Sequence, residues 1–336
     1  MTASVEFAFV GGLRQDYCIT HDGRVFAGML GGNAVYAAIG ARIWSDSVGL
    51  ISRIGSNFPS DWLDELRRHG LNLEGVRHLP DPHDTRTFYA YLSPEERVDT
   101  RPATHFLRIG RPLPKELIGY QHSTLEQGNR LGLGPLGVRV GDLPEWITGC
   151  RAVHLSPGDY LSHLSLPPHL HEVGVPRVTL DPSMMYMDPA FRSELPAIVK
   201  GLEAFLPSLM EAHAYFRQER LSEWEMAEAF SAMGCPIVVI KCGARGQIVL
   251  EAEAGQRWSV PAYPARVVDV TGAGDAYCGG FLVGLHRTGD PLEAALMGSV
   301  SASLVIEGTG ALFALEALPD LAQARLHSMR QSVGRA

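Results

Sequence analysis

The chain has 336 residues, 46% hydrophobic and 20% charged, an ordinary globular composition without bias toward disorder. Its net charge of -8 argues against a nucleic-acid footprint, and no stretch approaches the roughly 20 apolar residues that a membrane-spanning helix needs. The N-terminal MTASVEFAFVGG has no basic leader region, and the five cysteines are scattered without a C-x-x-C pair, so a reducing, cytoplasmic location is expected, with neither nucleic acid nor membrane as a partner.

In chain order, residues 5–10 read as a buried strand closed by the turn Gly11-Gly12. Two short β-prone runs around Asp22-Gly23 predict a hairpin over 17–28. Gly31-Gly32 opens a helix of small residues over 33–44. A strand follows at 47–54, then an amphipathic helix over 59–69 with Ser60-Asp61 as its cap and Gly70 as its stop. Residues 76–79, 86–92 and 97–109 read as strands rich in Arg, Thr and Tyr. With the first hairpin they make a β-rich lid formed by about 13–30 and 76–110. Residues 111–150 are rich in Gly and Pro and give no assignment.

Beyond 150 strands and helices alternate. Strands are expected at 152–155, 178–180, 204–206, 237–240, 247–251 and 266–270, and helices at 208–217, 222–233, 274–287, 291–306 and 314–330. Such alternation predicts one α/β domain over 1–336, three-layered, with a mostly parallel central sheet covered on both faces.

The most informative segment is RVVDVTGAGDAYCGGF, from Arg266 to Phe281. Thr271-Gly272-Ala273-Gly274 is a turn that only small residues make, and Asp275 follows at the start of a helix. A helix N-terminus offers unpaired amides and a partial positive charge, and glycine lets a phosphate approach it. Gly272, Ala273 and Gly274 are therefore candidate anion-hole donors, with Asp275 as the base that takes a proton from an attacking hydroxyl. An Asp in a first helical turn is commonly only a cap. Gly279-Gly280 inside the same helix sets this one apart: each glycine costs roughly 1 kcal/mol relative to alanine, so something packs very close to it.

This segment resembles the C-terminal signature of the ribokinase-like (pfkB) carbohydrate and nucleoside kinases, and Gly31-Gly32-Asn33 with the helix behind it resembles the family's first signature. The resemblance implies transfer of the terminal phosphoryl group of ATP, with Mg²⁺, to a hydroxyl of a sugar or nucleoside. It makes Asp275 the catalytic base and Gly272, Ala273 and Gly274 the anion hole. It gives Asp269 to a monovalent cation such as K⁺, and Glu211 to Mg²⁺ through water or phosphate, with Ser208 standing where the family carries Asn. Lys241, Gly243, Gly246 and Gly310 fall in its nucleotide loops. Lys241 replaces a hydroxyl residue there, and pairing with ATP phosphates and a solvated strand-end charge both remain open for it. Asp16, Gly31, Gly32 and Asn33 fall on the acceptor side, with Tyr36 at the place of the family's usual Asn; for Arg86, Arg108 and Tyr89 of the lid, contact with the acceptor and an ordinary place on the sheet surface both remain open, the surface place favoured for any one of them. A homodimer through the lid's exposed surface is a further expectation.

Two rival readings stand beside the kinase. Departures at Ser208, Lys241 and Tyr36 allow a non-catalytic nucleotide- or sugar-binding regulatory protein on the same fold. A dinucleotide oxidoreductase is disfavoured, since Gly11-Gly12-Leu13 does not continue into G-x-G-x-x-G. No His-Glu-x-x-His occurs, and His169 and His171, two apart, receive no metal.

Overall fold

The computed structural model describes residues 5–93, 96–122, 124–318 and 320–333. In chain order it begins with β1 (Phe7–Val10), β2 (Arg14–Ile19), β3 (Val25–Gly31), α1 (Asn33–Arg42), β4 (Val48–Ile54), α2 (Ser60–Arg68) and β5 (Asn72–His78). Then come β6 (Arg86–Tyr91), β7 (Arg97–Val98), α3 (Pro102–Arg108), β8 (Ala152–Leu155), α4 (Tyr160–Glu172), β9 (Val178–Leu180), α5 (Leu195–Val199), β10 (Ala204–Phe205) and α6 (Leu209–Tyr215). The last third holds α7 (Glu223–Ser231), β11 (Ile237–Lys241), β12 (Gln247–Glu251), β13 (Gln256–Val260), α8 (Ala273–Thr288), α9 (Pro291–Val305) and α10 (Leu321–Val333).

The main sheet has the order β13-β12-β11-β10-β9-β8-β1-β4-β5, parallel except for the antiparallel hairpins at β12 and β13. Its inner strands β1, β8, β9 and β10 are buried on both faces, which is why their sequences read as apolar runs, while the edge strands β5 and β13 are partly exposed. Phe7 and Phe9 of β1 face a core shared with α1, α2, α8, α9 and α10, while Ala8 and Val10 face a second core under α4, α5, α6 and α7. This is the expected α/β/α sandwich.

Glycine sets the spacing within the first layer. A Cβ on Gly279 would lie 2.8 Å from Ala41 N and closer still to the Ala37 carbonyl, and one on Gly280 would lie 2.7 Å from the Met297 carbonyl. The paired glycines thus let α8 lie against α1 on one side and α9 on the other, as their sequence position implied.

The lid is a separate sheet, β3-β2-β6-β7, with the hairpin turn at Asp22-Gly23 where it was expected. Several expectations need correction. Residues 76–78 belong to β5 in the main sheet, so the second lid segment begins at β6. Residues 97–109 are a two-residue strand followed by α3, which starts on Pro102 at a position where proline's missing N–H costs nothing. No strand forms at 266–270. This segment is instead strapped to the end of α9 by Val268 N–H to the Ile306 carbonyl at 2.7 Å and Arg266 N–H to Glu307 Oε1 at 3.2 Å. The helix expected at 314–330 divides into a 3-10 turn at Ala311–Glu316 and α10. Pro59, not Ser60, occupies the cap of α2.

One face of the lid sheet is packed from within the chain. Tyr17, Ile19, Phe88 and Ala90 are buried there under Phe106 of α3 and Leu117 of the following single-turn helix, so the chain covers its own sheet. Among the described residues no helix is long and apolar enough to cross a membrane, and all five cysteines are free thiols.

Candidate active site

The strap at 266–270 delivers the chain to the head of α8. Gly272 caps that helix with φ 76, a left-handed conformation that glycine adopts without strain, and a Cβ there would press on the Tyr36 ring at 2.6 Å from Cδ2. Gly272, Ala273, Gly274 and Asp275 are all partly open to solvent, so the turn lines a groove. The Ala273 amide is turned to the Val270 carbonyl at 3.2 Å. First-turn amides of a helix have no intrahelical partner, which leaves Gly272, Gly274 and Asp275 as the donors aimed at the groove. The expected trio is thereby shifted, with Ala273 the weakest of the three.

Asp275 stands in the first turn of α8. Burial pushes its carboxyl up to about 6; Lys241 and Arg97 pull it down, while Glu211 and Asp16 push it further up. These causes name the side chains that converge on it.

Lys241 ends β11 beneath the same turn, its Nζ 3.6 Å from where a Cβ of Gly274 would sit. It is ion-paired to Asp181 and 3.5 Å from Cys278 Sγ, so the solvated strand-end reading does not hold. Burial alone would strip its proton, but Asp181 and Glu211 hold it charged, above the usual lysine range. Asp181 follows β9 directly and is buried; its Oδ2 takes Lys241, while its Oδ1 has no hydrogen-bond partner among the described residues. Ser208 caps α6, its hydroxyl accepting from the Glu211 amide at 3.3 Å, while Glu211 Oε2 accepts from the Ser208 amide and hydroxyl at 2.7 Å. Burial raises both Asp181 and Glu211; the Asp275 carboxylate raises Asp181 further, and the Asp181 carboxylate raises Glu211.

The acceptor side lies where β2, β3 and the start of α1 meet. Asp16 is buried, accepts from the Thr87 hydroxyl, and packs on Gly31, where a Cβ would lie 3.0 Å from Asp16 Oδ1 and nearer to Oδ2. Burial pushes its carboxyl up to about 6, opposed by hydrogen bonds from Thr87 and the Gly32 amide. Gly32, at φ 102, approaches Arg14 N so closely that a Cβ would lie 2.8 Å away. Asn33 is committed to the scaffold. Its Oδ1 accepts from the Gly12 and Ala34 amides at 2.8 Å each, and its Nδ2 donates to the Pro157 carbonyl. It thereby ties three backbone segments together beside Asp16.

The lid closes from above. Tyr91 and Thr271 hydroxyls lie 3.0 Å apart, Arg24 donates to the Val268 carbonyl at 3.2 Å, and Arg97 stacks on Tyr89 at 4.5 Å from the ring centroid. Tyr89 faces the groove. Arg86 is instead spent on Asp84 and the Glu116 carbonyl, and Arg108 is exposed on α3.

At the nucleotide end, Gly243 starts a single 3-10 turn with open space around it. Gly246, at φ 92, has structural duty: a Cβ would strike Pro261, 2.6 Å from its carbonyl carbon. Gly310, at φ 76, meets Met29 of the lid, 2.7 Å from Cε. Asp269 is buried beside Cys18, its Oδ1 accepting from the Thr271 amide at 2.9 Å.

Sequence reasoning missed Asp181, Arg97 and Arg14. Asp181 carried a usable signal, since it follows a strand at the carboxyl edge of a parallel sheet, where ligands bind. Arg97 and Arg14 reach the groove only through the pairing of lid strands, and nothing local marks them.

The chain is similar to known carbohydrate and nucleoside kinases. The pfkB family carbohydrate kinase profile matches residues 158–318. A cytidine kinase of Thermococcus kodakarensis is 27% identical over 293 residues, covering 86% of this chain and 91% of that one. An aminoimidazole riboside kinase of Salmonella typhimurium is 33% identical over 120 residues, 33% of this chain and 37% of that one. Among solved structures, a nucleoside kinase of Burkholderia thailandensis in complex with ADP-inosine superposes with a TM-score of 0.70 at 17% identity, over 96% of this chain and 95% of that one. The aminoimidazole riboside kinase of Salmonella enterica, complexed with its riboside and an ATP analog, gives 0.67 at 18%, over 96% and 99%.

Proposed function

Because the chain carries a pfkB-family carbohydrate kinase domain on the ribokinase fold, we propose that it moves the terminal phosphoryl group of ATP onto a hydroxyl of a sugar or nucleoside. The observation that carries this reading is the carboxylate of Asp275, set in the first turn of α8 beside unpaired amides and across a groove from Asp16. The relatives named as cytidine and aminoimidazole riboside kinases support the acceptor class.

Asp16, with the Gly31-Gly32 backbone against it, holds acceptor hydroxyls. Asp275 accepts the proton of the attacking hydroxyl, and a carboxyl near 6 is ionised at neutral pH while remaining basic enough to do so. The amides of Gly272 and Gly274 and the Lys241 ammonium hold the phosphoryl oxygens as charge shifts between them. Arg97 and the tyrosines of the lid exclude water above.

The residues present fit a magnesium ion. No group of three His, Cys, Asp or Glu side chains gathers for a metal among the described residues, but Mg²⁺ binds through one or two carboxylates plus substrate phosphates and water. The unpartnered Oδ1 of Asp181 and the Glu211 carboxylate are that pair. Bound there, the ion would neutralise phosphate charge. Asp269 is the candidate for a monovalent cation, and Gly243, Gly246 and Gly310 shape the edge that receives the nucleotide.

The test is a coupled ADP-release screen over sugars and nucleosides, with Mg²⁺ and with or without K⁺. Acceptor-dependent ADP release is the expected result. Calorimetric binding of ATP and an acceptor, with no turnover for any, would instead favour a regulatory binding protein.

A further inference from the structure

The strap at 266–270 forms no strand, so its path rests on a few discrete bonds. The Ile306 carbonyl at the end of α9 accepts from Val268 N–H at 2.7 Å and from Asp269 N–H at 3.3 Å. Asp269 Oδ1 then accepts from the Thr271 amide at 2.9 Å, one residue before Gly272. At the other end of the strap, Arg266 N–H donates to Glu307 Oε1 at 3.2 Å. These bonds fix where the first turn of α8 begins.

Glu307 is itself held. Its Oε2 accepts from Arg325 Nη2 at 2.5 Å. Arg325 comes from α10 and is buried; its Nη1 donates to Ser303 Oγ on α9 at 2.9 Å. Its guanidinium also lies 4.9 Å from the centroid of the Tyr263 ring, just ahead of the strap. One side chain of the last helix thus grips α9, the carboxylate that holds the strap, and the residue that leads into it. A guanidinium presents its donors in fixed directions on a rigid plane, so the three contacts define one position for Glu307. Arg330, five residues on in the same helix, binds Glu293 of α9 instead, its Nε 3.0 Å from each carboxylate oxygen.

Resting on the kinase reading above, in which the turn at 272–275 meets the phosphoryl group, we propose that Arg325 is a positioning residue for the reaction: acting through Glu307, it sets the strap, and the strap sets the amides of Gly272 and Gly274 and the carboxylate of Asp275. Reacting groups must be held to well under an ångström, and a site is only as exact as the shell behind it. The acceptor side stands on β2, β3 and the start of α1, outside this chain of bonds. Loss of the clamp therefore acts on the chemical step more than on acceptor binding.

The deciding experiment measures ADP release and the denaturant midpoint for wild type, Arg325→Met, Glu307→Ala, the double variant and Arg330→Met. Arg325→Met and Glu307→Ala should each lower kcat by about 10-fold or more while the acceptor KM stays within about threefold. The two residues act in series, so the double variant should be no slower than the slower single one. Arg330→Met removes a different ion pair between α10 and α9 and should leave kcat unchanged. Wild-type kcat in a folded Arg325→Met or Glu307→Ala protein overturns the proposal. So does a double variant whose two losses multiply, or an equal loss in Arg330→Met, which would assign the effect to the docking of α10 as a whole. If Arg325→Met fails to fold, Glu307→Ala decides alone, since that side chain is 25% exposed and its removal leaves the core intact. An active wild type with unaffected variants sinks this proposal and leaves the kinase reading standing; no ADP release from wild type with any acceptor sinks both.

Discussion

Gly279→Ala tests whether the α1–α8 contact positions the catalytic turn. An alanine Cβ would sit 2.8 Å from Ala41 N, at least 0.6 Å inside the 3.4 Å of an ordinary contact, and nearer still to the Ala37 carbonyl oxygen. The obstructing atoms are helical backbone in a close-packed interior, so α8 must move. Overpacking of this kind costs about 1–3 kcal/mol, and the gain in helix propensity returns about 1 kcal/mol. The expected net loss is up to about 2 kcal/mol, read as a lower denaturant midpoint at unchanged slope. The functional effect should be larger. Gly279 lies four residues beyond Asp275, and a displacement approaching 1 Å at the reacting groups costs on the order of 10²-fold. kcat should therefore fall about 10- to 100-fold. Gly149→Ala, where a Cβ would meet nothing within 4 Å, is the control and should change neither quantity. A Gly279→Ala protein with wild-type midpoint and wild-type kcat would refute the reasoning.

Further outcomes follow from the charges around the groove. The base must be ionised to work, so kcat/KM should fall on the acid side with a midpoint about 6; a midpoint below 5 would mean that Asp275 is an ordinary exposed carboxylate. Arg97→Met removes a cation that favours the ionised form, so that midpoint should move upward, and a downward or absent shift contradicts the placement of Arg97. Lys241→Met strands Asp181, Glu211 and Asp275 without their shared counter-charge. Breaking a buried pair in this way costs about 3–5 kcal/mol. Because burial raises these carboxyls in the folded protein, they take up protons more readily there than in the unfolded chain. The loss should be greatest above pH 7 and relieved toward pH 5, as denaturant titrations at several pH values would show.

Much of this was legible in the chain. The Gly-Ala-Gly-Asp turn, the close packing implied by Gly279-Gly280 and the alternation that makes a parallel sheet are local patterns, and they survive folding unchanged. What misled was propensity without context. Residues 266–270 carry the β-branched Val267, Val268 and Val270, yet the segment hydrogen-bonds to the end of α9 and forms no strand. Residues 102–108 read as a continuation of a strand, but Phe106 is needed as a cover for the lid, and a helix presents it. Asn33 was placed on the acceptor side because Gly31-Gly32-Asn33 resembles the family's first signature; in the structure its amide ties Gly12, Ala34 and Pro157 together. Asp181 acquires its place from Lys241, 60 positions on, and Asp16 from Thr87, 71 positions on, and no window of sequence contains that information; Arg97, by contrast, pairs with nearby Tyr91.

The most direct measurement is Asp275→Asn, assayed for ADP release beside a denaturant titration at pH 7.5. A proton acceptor of this kind contributes about 10²- to 10⁴-fold, so kcat should drop by that factor. The fold should hold and its stability should rise by about 1–2 kcal/mol, read as a higher denaturant midpoint, because the ionised carboxylate is held there against a raised pKa. Near-wild-type turnover in a folded Asp275→Asn protein would contradict the account.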